Sequence, residues 1–313
     1  MLNKLLQDKN FLKIVCGAGN EDCEFVKRLV FVYAKAGCKV FDISARKDVL
    51  DSAKEGVNLA GADDVHFCVS VGIKGDPHIS KAFINKSKCV SCNRCVDICS
   101  NSAITNNQEV IESKCIGCGL CSKECPQKTI DMYNKDVELS QVLPELLENG
   151  VEIIELHITG QDKNELNKKW EIINSLKPAI VSICIDRENF GNKEVLSRIN
   201  EMIKNRKDFS TIIQADGIPM SGSDDTYKTT LQAVAMAEII QNAKLPVYIV
   251  VSGGTNSKTA ELCKQCGIDY SGIAIGSWAR NIVKPYILKE DFWQNKTAQN
   301  KAIEVASELC KAI

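Results

Sequence analysis

The chain has 313 residues, 44% of them hydrophobic and 25% charged, with a formal net charge of −1. Such a composition belongs to a globular protein, and it excludes the strongly biased surface that attracts nucleic acid or an anionic membrane. No apolar run reaches the ~20 residues of a membrane helix, and MLNKLLQDKNFLKIV at the start lacks the apolar core and cleavage site of a secretory signal. A cytoplasmic protein is expected, with neither nucleic acid nor membrane among its partners.

A β-branched run from Phe11 to Gly19 predicts the first strand. EDCEFVKRLVFVYAKAG then carries apolar residues at helical spacing and stops at Gly37. Cys38 to Ser44 predicts a second strand, KDVLDSAKEGVNLA a second helix, and His66 to Ile73 a third strand. From about Lys74 to Tyr133 the alternation stops. It resumes with the helix ELSQVLPELLENG, whose Pro144 is expected in the first turn. Strands four to eight are predicted at Val151 to Ile158, Ala179 to Asp186, Ser210 to Gly217, Val247 to Thr255 and Ser271 to Ser277. The helices between them are KNELNKKWEIINSLK, NKEVLSRINEMIKNR, TTLQAVAMAEIIQNA and SKTAELCKQCG, and a last one covers about Thr297 to Ala312.

Strands separated by crossover helices pair in parallel. Eight such units predict an α/β fold, a (β/α)8 TIM-type barrel made of residues 1–76 and 134–313. Residues 77–133 then form a ferredoxin-like insert after strand three, in a loop on the face where barrels carry their sites. A doubly wound open sheet is the rival, since its strands look the same locally. The lack of GxGxxG after the first strand counts against a dinucleotide fold.

The chain has sixteen cysteines, and eight of them lie between Cys89 and Cys125. In a reducing compartment such clustering points to metal or redox chemistry. Cys89, Cys92, Cys95 and Cys99 form one C-x2-C-x2-C-x3-C run, and Cys115, Cys118, Cys121 and Cys125 form another. Three thiolates at that spacing wrap one face of a [4Fe–4S] cube, while the fourth is carried to the other cube. Two [4Fe–4S] clusters are therefore expected, one on Cys89, Cys92, Cys95 and Cys125, the other on Cys115, Cys118, Cys121 and Cys99. Two zinc sites are the alternative, but zinc has no use for a fourth cysteine at that offset followed by Pro126. Ser100 stands where the first run would carry proline.

Two glycine-bearing loops follow strands seven and eight. Gly253, Gly254 and Thr255 lie in one, Gly276 and Ser277 in the other, with Arg280 close behind. That pair of loops commonly holds phosphate in barrels, so a phosphate-bearing ligand such as FMN is the candidate occupant. The bland reading is that the glycines only turn the chain and that Arg280 is a surface residue. Asn20, Asp42, Glu155, His157, Asp186, Gln214 and Asp216 mark other strand ends. Glu155 and His157 share parity and point the same way, as acid–base candidates or as a hydrogen-bonded polar layer. His78 follows Asp76 and Pro77 before the insert, as a cluster neighbour or proton carrier, or as a hinge residue positioned by Pro77. The pair Cys263 and Cys266 has no second pair nearby, and core packing is its expected role.

The cysteine repeat resembles bacterial two-cluster ferredoxins. With its flanks the chain resembles a narrower group, the light-dependent period family, iron–sulfur proteins of phototrophic bacteria that adjust the circadian clock. The resemblance rests on Asp76-Pro77-His78, on Lys114-Cys115-Ile116-Gly117-Cys118, and on Gln214 to Gly222 with its PMSG. It continues in Ser252 to Thr259 and in Gly276 to Arg280, and covers residues 11 to 285. It implies redox sensing, with clusters that report electron supply from a redox donor to a signalling protein. Ser-Asp-Asp-Thr-Tyr-Lys after Gly222 is less glycine-rich than the family pattern, which leaves the mouth ligand open. A flavin-dependent oxidoreductase fed by the clusters is the competing reading, and pure electron transfer is a third.

Overall fold

The structure, a computed structural model, describes residues 1–73, 76, 79–135, 137–158, 162–187, 190–217 and 224–313. α1 (Leu2–Gln7) precedes β1 (Phe11–Val15), followed by α2 (Cys23–Lys35), β2 (Val40–Ser44), α3 (Lys47–Ala60) and β3 (His66–Gly72). The insert contributes β4 (Ser80–Ile84), the short helices α4 (Arg94–Asp97) and α5 (Leu120–Glu124), and β5 (Ile130–Asn134). Alternation resumes through α6 (Leu139–Glu148), β6 (Val151–His157), α7 (Lys163–Ser175), β7 (Ile180–Ile185), α8 (Asn192–Ile203) and β8 (Thr211–Asp216). It ends with α9 (Tyr227–Asn242), β9 (Tyr248–Ser252), α10 (Thr259–Gln265), β10 (Gly272–Ile275), α11 (Ser277–Ile287) and α12 (Lys296–Ala312).

Eight strands close into a parallel barrel in the order β1-β2-β3-β6-β7-β8-β9-β10, and the expected (β/α)8 fold with its insert after β3 is what forms. The period of two decides what each strand offers to each side. Residues such as Phe41, Ile43, Val69, Ile154, Ile183 and Ile213 face the helices and join the large outer core. Phe11, Val40, Cys68, Ile153, Ile180, Ile212 and Ala274 form a separate inner core at the N-terminal end of the barrel. Two positions further along the same strands stand Lys13, Asp42, Ser70, Glu155, Ser182 and Gln214, all buried. Apolar residues therefore fill the closed end and polar ones the end where the βα loops emerge.

Among the described residues, four helices were not evident in the sequence: α1, the short insert helices α4 and α5, and α11. α1 is short, yet its Leu2 and Leu6 are buried against the inner core and close the barrel floor. α11 follows β10 directly, so the helix at the C-terminus is an extra one. Gly276 and Ser277 were read as loop and the residues after them were assigned no element, yet α11 starts at Ser277 and runs through Pro285. Pro144 is also corrected: it is the sixth residue of α6, not in its first turn, because the helix begins at Leu139 behind the N-cap Glu138. Burial of Leu139, Leu143 and Leu146 holds the helix despite the backbone bond that proline removes.

Candidate metal centre and barrel cleft

The insert is an internal repeat with a shift of 26 residues. The 3-10 turn Lys86–Lys88 matches Glu112–Lys114, α4 matches α5, and the antiparallel pair Ile84↔Ile130 has its counterpart in the bridge Ile104↔Val110. Left-handed backbone recurs at Ser91 and Gly117, and again at Asn93 and Gly119. Gly117 and Gly119 adopt it without the cost that Ser91 and Asn93 bear.

Two cavities of about 340 and 390 Å³ lie within this repeat. Cys89, Cys92, Cys95 and Cys125 line the first; Cys99, Cys115, Cys118 and Cys121 line the second. The fourth cysteine of each run thus faces the cavity of the other. No carboxylate or imidazole lines either one among the described residues, so each offers four thiols and apolar cover from Ile84 and Ile130 or from Ala82, Ile104 and Met132. Backbone N–H groups already point at sulfur: Ala103 to Cys99 at 3.2 Å, Ser91 to Cys89 and Ala82 to Cys115 at 3.4 Å, Thr129 to Cys125 at 3.5 Å. Such donors favour thiolate. The Thr129 hydroxyl and N–H hold the Cys125 thiol below its usual range, whereas burial pushes Cys121 up to about 11. An all-thiolate set with donors to sulfur fits an iron–sulfur cube.

One buried lysine joins insert to barrel. Lys81 on β4 donates to the carbonyls of Gly19 (2.7 Å), Glu112 (2.9 Å) and Cys115 (2.9 Å), with the Glu21 carboxylate 3.5 Å away. Burial pulls its pKa down, and Glu21 opposes the shift. Lys81→Met is expected to leave three carbonyls without their donor and to cost roughly 2–4 kcal/mol. Faster loss of iron to a chelator, followed by absorbance, measures the loosened insert; an unchanged rate counts against this role.

Over the barrel mouth lies a cleft of about 670 Å³. Gly253, Gly254, Thr255, Gly276, Ser277 and Arg280 all line it, together with Asp42, Glu155, His157, Gln214 and Asp216. Arg280 is buried, not a surface residue: it donates to the Val15 carbonyl at 2.7 Å and to Ser277 Oγ at 3.2 Å. Asn20 serves its own turn, donating to the Cys16 carbonyl, and Asp186 is buried outside the cleft lining. Cys263 is buried with its thiol pushed up to about 12 by desolvation, while Cys266 is exposed, which fits packing. His78 and the segment Ile218-Pro219-Met220-Ser221-Gly222 lie outside the described residues.

The cleft floor is one ionic network. Lys13 Nζ contacts Glu155 and lies 3.3 Å from Asp42. Glu155 also accepts from Ser182 Oγ (2.7 Å) and Gln214 Nε2 (2.8 Å), and Ser70 donates to Asp42 at 2.7 Å. His157 lies between Asp76 (Nδ1 to Oδ2, 3.2 Å) and Glu155 (Nε2 to Oε1, 3.3 Å). Burial alone would raise Glu155, but Lys13 and His157 outweigh it and hold the carboxyl far below its usual range. Burial would likewise lower His157, and Asp76 and Glu155 reverse the sign, so its pKa is raised well above normal. The folded protein thus holds this proton more tightly than the unfolded chain does. The resulting stability is complete below the ordinary imidazole range, at about pH 6, and is lost as pH rises through the raised value. Urea midpoints between about pH 6 and pH 9 are expected to fall more for the wild type than for His157→Gln. Equal slopes would place the proton elsewhere.

Lys13, Ser70, Ser182 and Cys184 belong to this network and were not read from the sequence. Parity could have found Lys13, since it alternates inward between Phe11 and Val15. The rest look like ordinary strand residues until the barrel closes. Glu155, His157 and Cys184 have ligand atoms within 4.8 Å of one another, as do Asp42, Cys68 and Glu155. Both sets share Glu155, whose oxygens already serve Lys13, Ser182 and Gln214.

Comparison with known proteins places the chain. The family model of the Light dependent period A C-terminal domain matches residues 145–313, and that of a 4Fe-4S dicluster domain matches residues 82–132. Light dependent period A of Synechococcus elongatus is 30% identical over 291 residues, 88% of this chain and 81% of that protein. The chain belongs to the light-dependent period family. It is an iron–sulfur protein of the light-dependent period type, and the two departures from the family pattern, at Ser100 and after Gly222, do not remove it from the family. The YdjI aldolase of Escherichia coli K12 superposes with a TM-score of 0.52 at 9% identity, over 100% of this chain and 94% of the other. Tryptophan synthase of M. tuberculosis gives 0.51 at 8%, over 100% and 96%. At these identities the likeness is one of fold alone. Among the described residues of this family member, no helix is long and apolar enough to cross a membrane.

Proposed function

We propose that this chain is a cytoplasmic redox sensor that carries two [4Fe–4S] clusters in residues 77–133 and reports electron supply to a signalling partner. The observation that supports it is the crossed grouping of eight cysteines into two four-thiol cavities. Clusters so held supply one-electron exchange. Cys89, Cys92, Cys95 and Cys125 would hold one, and Cys99, Cys115, Cys118 and Cys121 the other. Cys92 is exposed, and Val90 in the first motif and Leu120 in the second are 59% and 42% exposed, which gives a redox donor or signalling protein an apolar residue to meet beside each cavity. The name of the Synechococcus relative ties that protein to a light-dependent period, and a role for this chain in timing is part of the proposal.

The test is anaerobic purification with iron analysis, electron paramagnetic resonance and a redox titration. Two reduced-cluster signals with about eight irons per chain support the reading. Colourless protein, or protein carrying zinc, sinks it. Flavin released on denaturation would replace the sensor by the oxidoreductase reading.

A further inference from the structure

We infer that the barrel cleft binds a small organic molecule bearing an oxyanion, and that the second cysteine motif reads its presence through Ile116. The second half of this inference rests on the redox-sensor reading; the first half does not.

The cleft is open to solvent and lined by loops from several strand ends, with glycines, a buried arginine and buried polar groups converging on it. Its two glycine loops are not equivalent. A Cβ at Gly253 would lie 1.7 Å from Asp216 Oδ1, so that loop is covered by a carboxylate. Thr255 spends its hydroxyl on the Ala274 carbonyl, and α10 beyond it has only seven residues. The other loop opens α11, eleven residues long, and Arg280 stands in its first turn. Gly276 and Gly17 leave room beside that guanidinium: Cβ atoms there would come within 3.3 and 3.9 Å of Arg280 Nη1. Helix N-terminus and buried arginine together favour an oxyanion. The floor is acidic on balance, since Asp42, Glu155, Asp76 and Asp216 stand against Lys13 and His157, so the oxyanion is held locally by Arg280 and the helix end rather than by the net charge of the cleft. Gln214 supplies the second, independent observation. It lines the cleft at 3% exposure, and among the described residues its Oε1 accepts no hydrogen bond. A buried acceptor without a donor costs about 1–3 kcal/mol, which a hydroxyl or amine on the ligand would recover.

The link to the motif is Ile116. It lies between Cys115 and Cys118, and it lines both the cleft and the second four-thiol cavity. Lys81 adds a second tie, binding the Cys115 carbonyl and that of Gly19 in the cleft wall. A ligand seated against Arg280 therefore presses on the wall that carries the second set of cysteines.

The experiment uses the full chain, purified without oxygen with its iron in place. Inorganic phosphate and acetate are titrated separately by calorimetry, against chloride at equal ionic strength, and electron paramagnetic resonance of the reduced protein is recorded with each. One site per chain is expected, with a change in one of the two cluster signals. The arms tell a phosphate ligand from a carboxylate. Ser277→Asp, which sets a second carboxylate at the same helix end, is expected to weaken binding at least tenfold. Ile116→Ala is expected to retain iron and anion binding while losing the change in the signal. Absence of binding by both anions, or binding unaffected by Ser277→Asp, overturns the cleft proposal. Binding that leaves both signals unaltered overturns the reading through Ile116. Unliganded spectra and iron content report the clusters separately, so failure of either half is distinguishable from failure of the sensor reading.

Discussion

Iron in the Cys118→Ser chain is expected to fall from about eight to about four atoms per molecule, with one of two cluster signals lost and the other unchanged. Cys118 shares its cavity with Cys99, Cys115 and Cys121, and serine is a poor replacement for a thiolate there. The other cavity keeps all four donors. Cys125→Ser makes the result decisive. Cys118 and Cys125 belong to one sequence run but line different cavities. Under crossed ligation the two substitutions abolish opposite signals. Under ligation run by run they abolish the same one. Iron remaining near eight in the Cys118 variant would remove that residue from the ligand set. Cys263→Ser, far from both motifs in sequence and on the buried side of α10, serves as the control and should change neither signal.

The second large effect lies in the barrel. Lys13→Met is expected to cost about 3–5 kcal/mol, the range for removing one partner from a buried ion pair. Lys13 is 2% exposed and compensates both Asp42 and Glu155. Methionine matches its bulk, so little of the loss would come from a cavity. What remains is Asp42 without its ion-pair partner and Glu155 with His157 as its one cation among the described residues. The measurement is the urea midpoint at neutral pH, with the slope checked for two-state behaviour. Glu155→Gln in the same chain should recover part of the loss, because one of the two carboxylates that Lys13 compensated is then neutral, and the shortfall from additivity measures the coupling. A cost below about 1 kcal/mol for Lys13→Met would show that water reaches the floor and screens the pair.

Much of the fold was legible because both faces of a parallel strand are buried, so each strand reads as a compact apolar run between amphipathic helices. The strands at Val151 and Ile180 illustrate this, and their ends were read to within one residue. α1 was missed because six residues carry too little period to stand out. α11 was missed because its first residues were read as the glycine-bearing loop of Gly276 and Ser277. The cleft loops were placed by their ordinal positions alone. The unequal roles of Gly253 and Gly276 could not be read, since they depend on which side chain packs against each glycine.

The cysteine spacing by itself pointed to the eight thiols that line the two cavities, because offsets along a short segment are a local property of the chain. Strand parity likewise determined that Glu155 and His157 point the same way. Closure of the barrel decided the rest. Lys13, Asp42, Glu155 and Asp76 come from four separate stretches of sequence, and their charges matter only once desolvated side by side. The same holds for Ile116, whose place between a cysteine cavity and the barrel cleft arises from the docking of one folded unit on another.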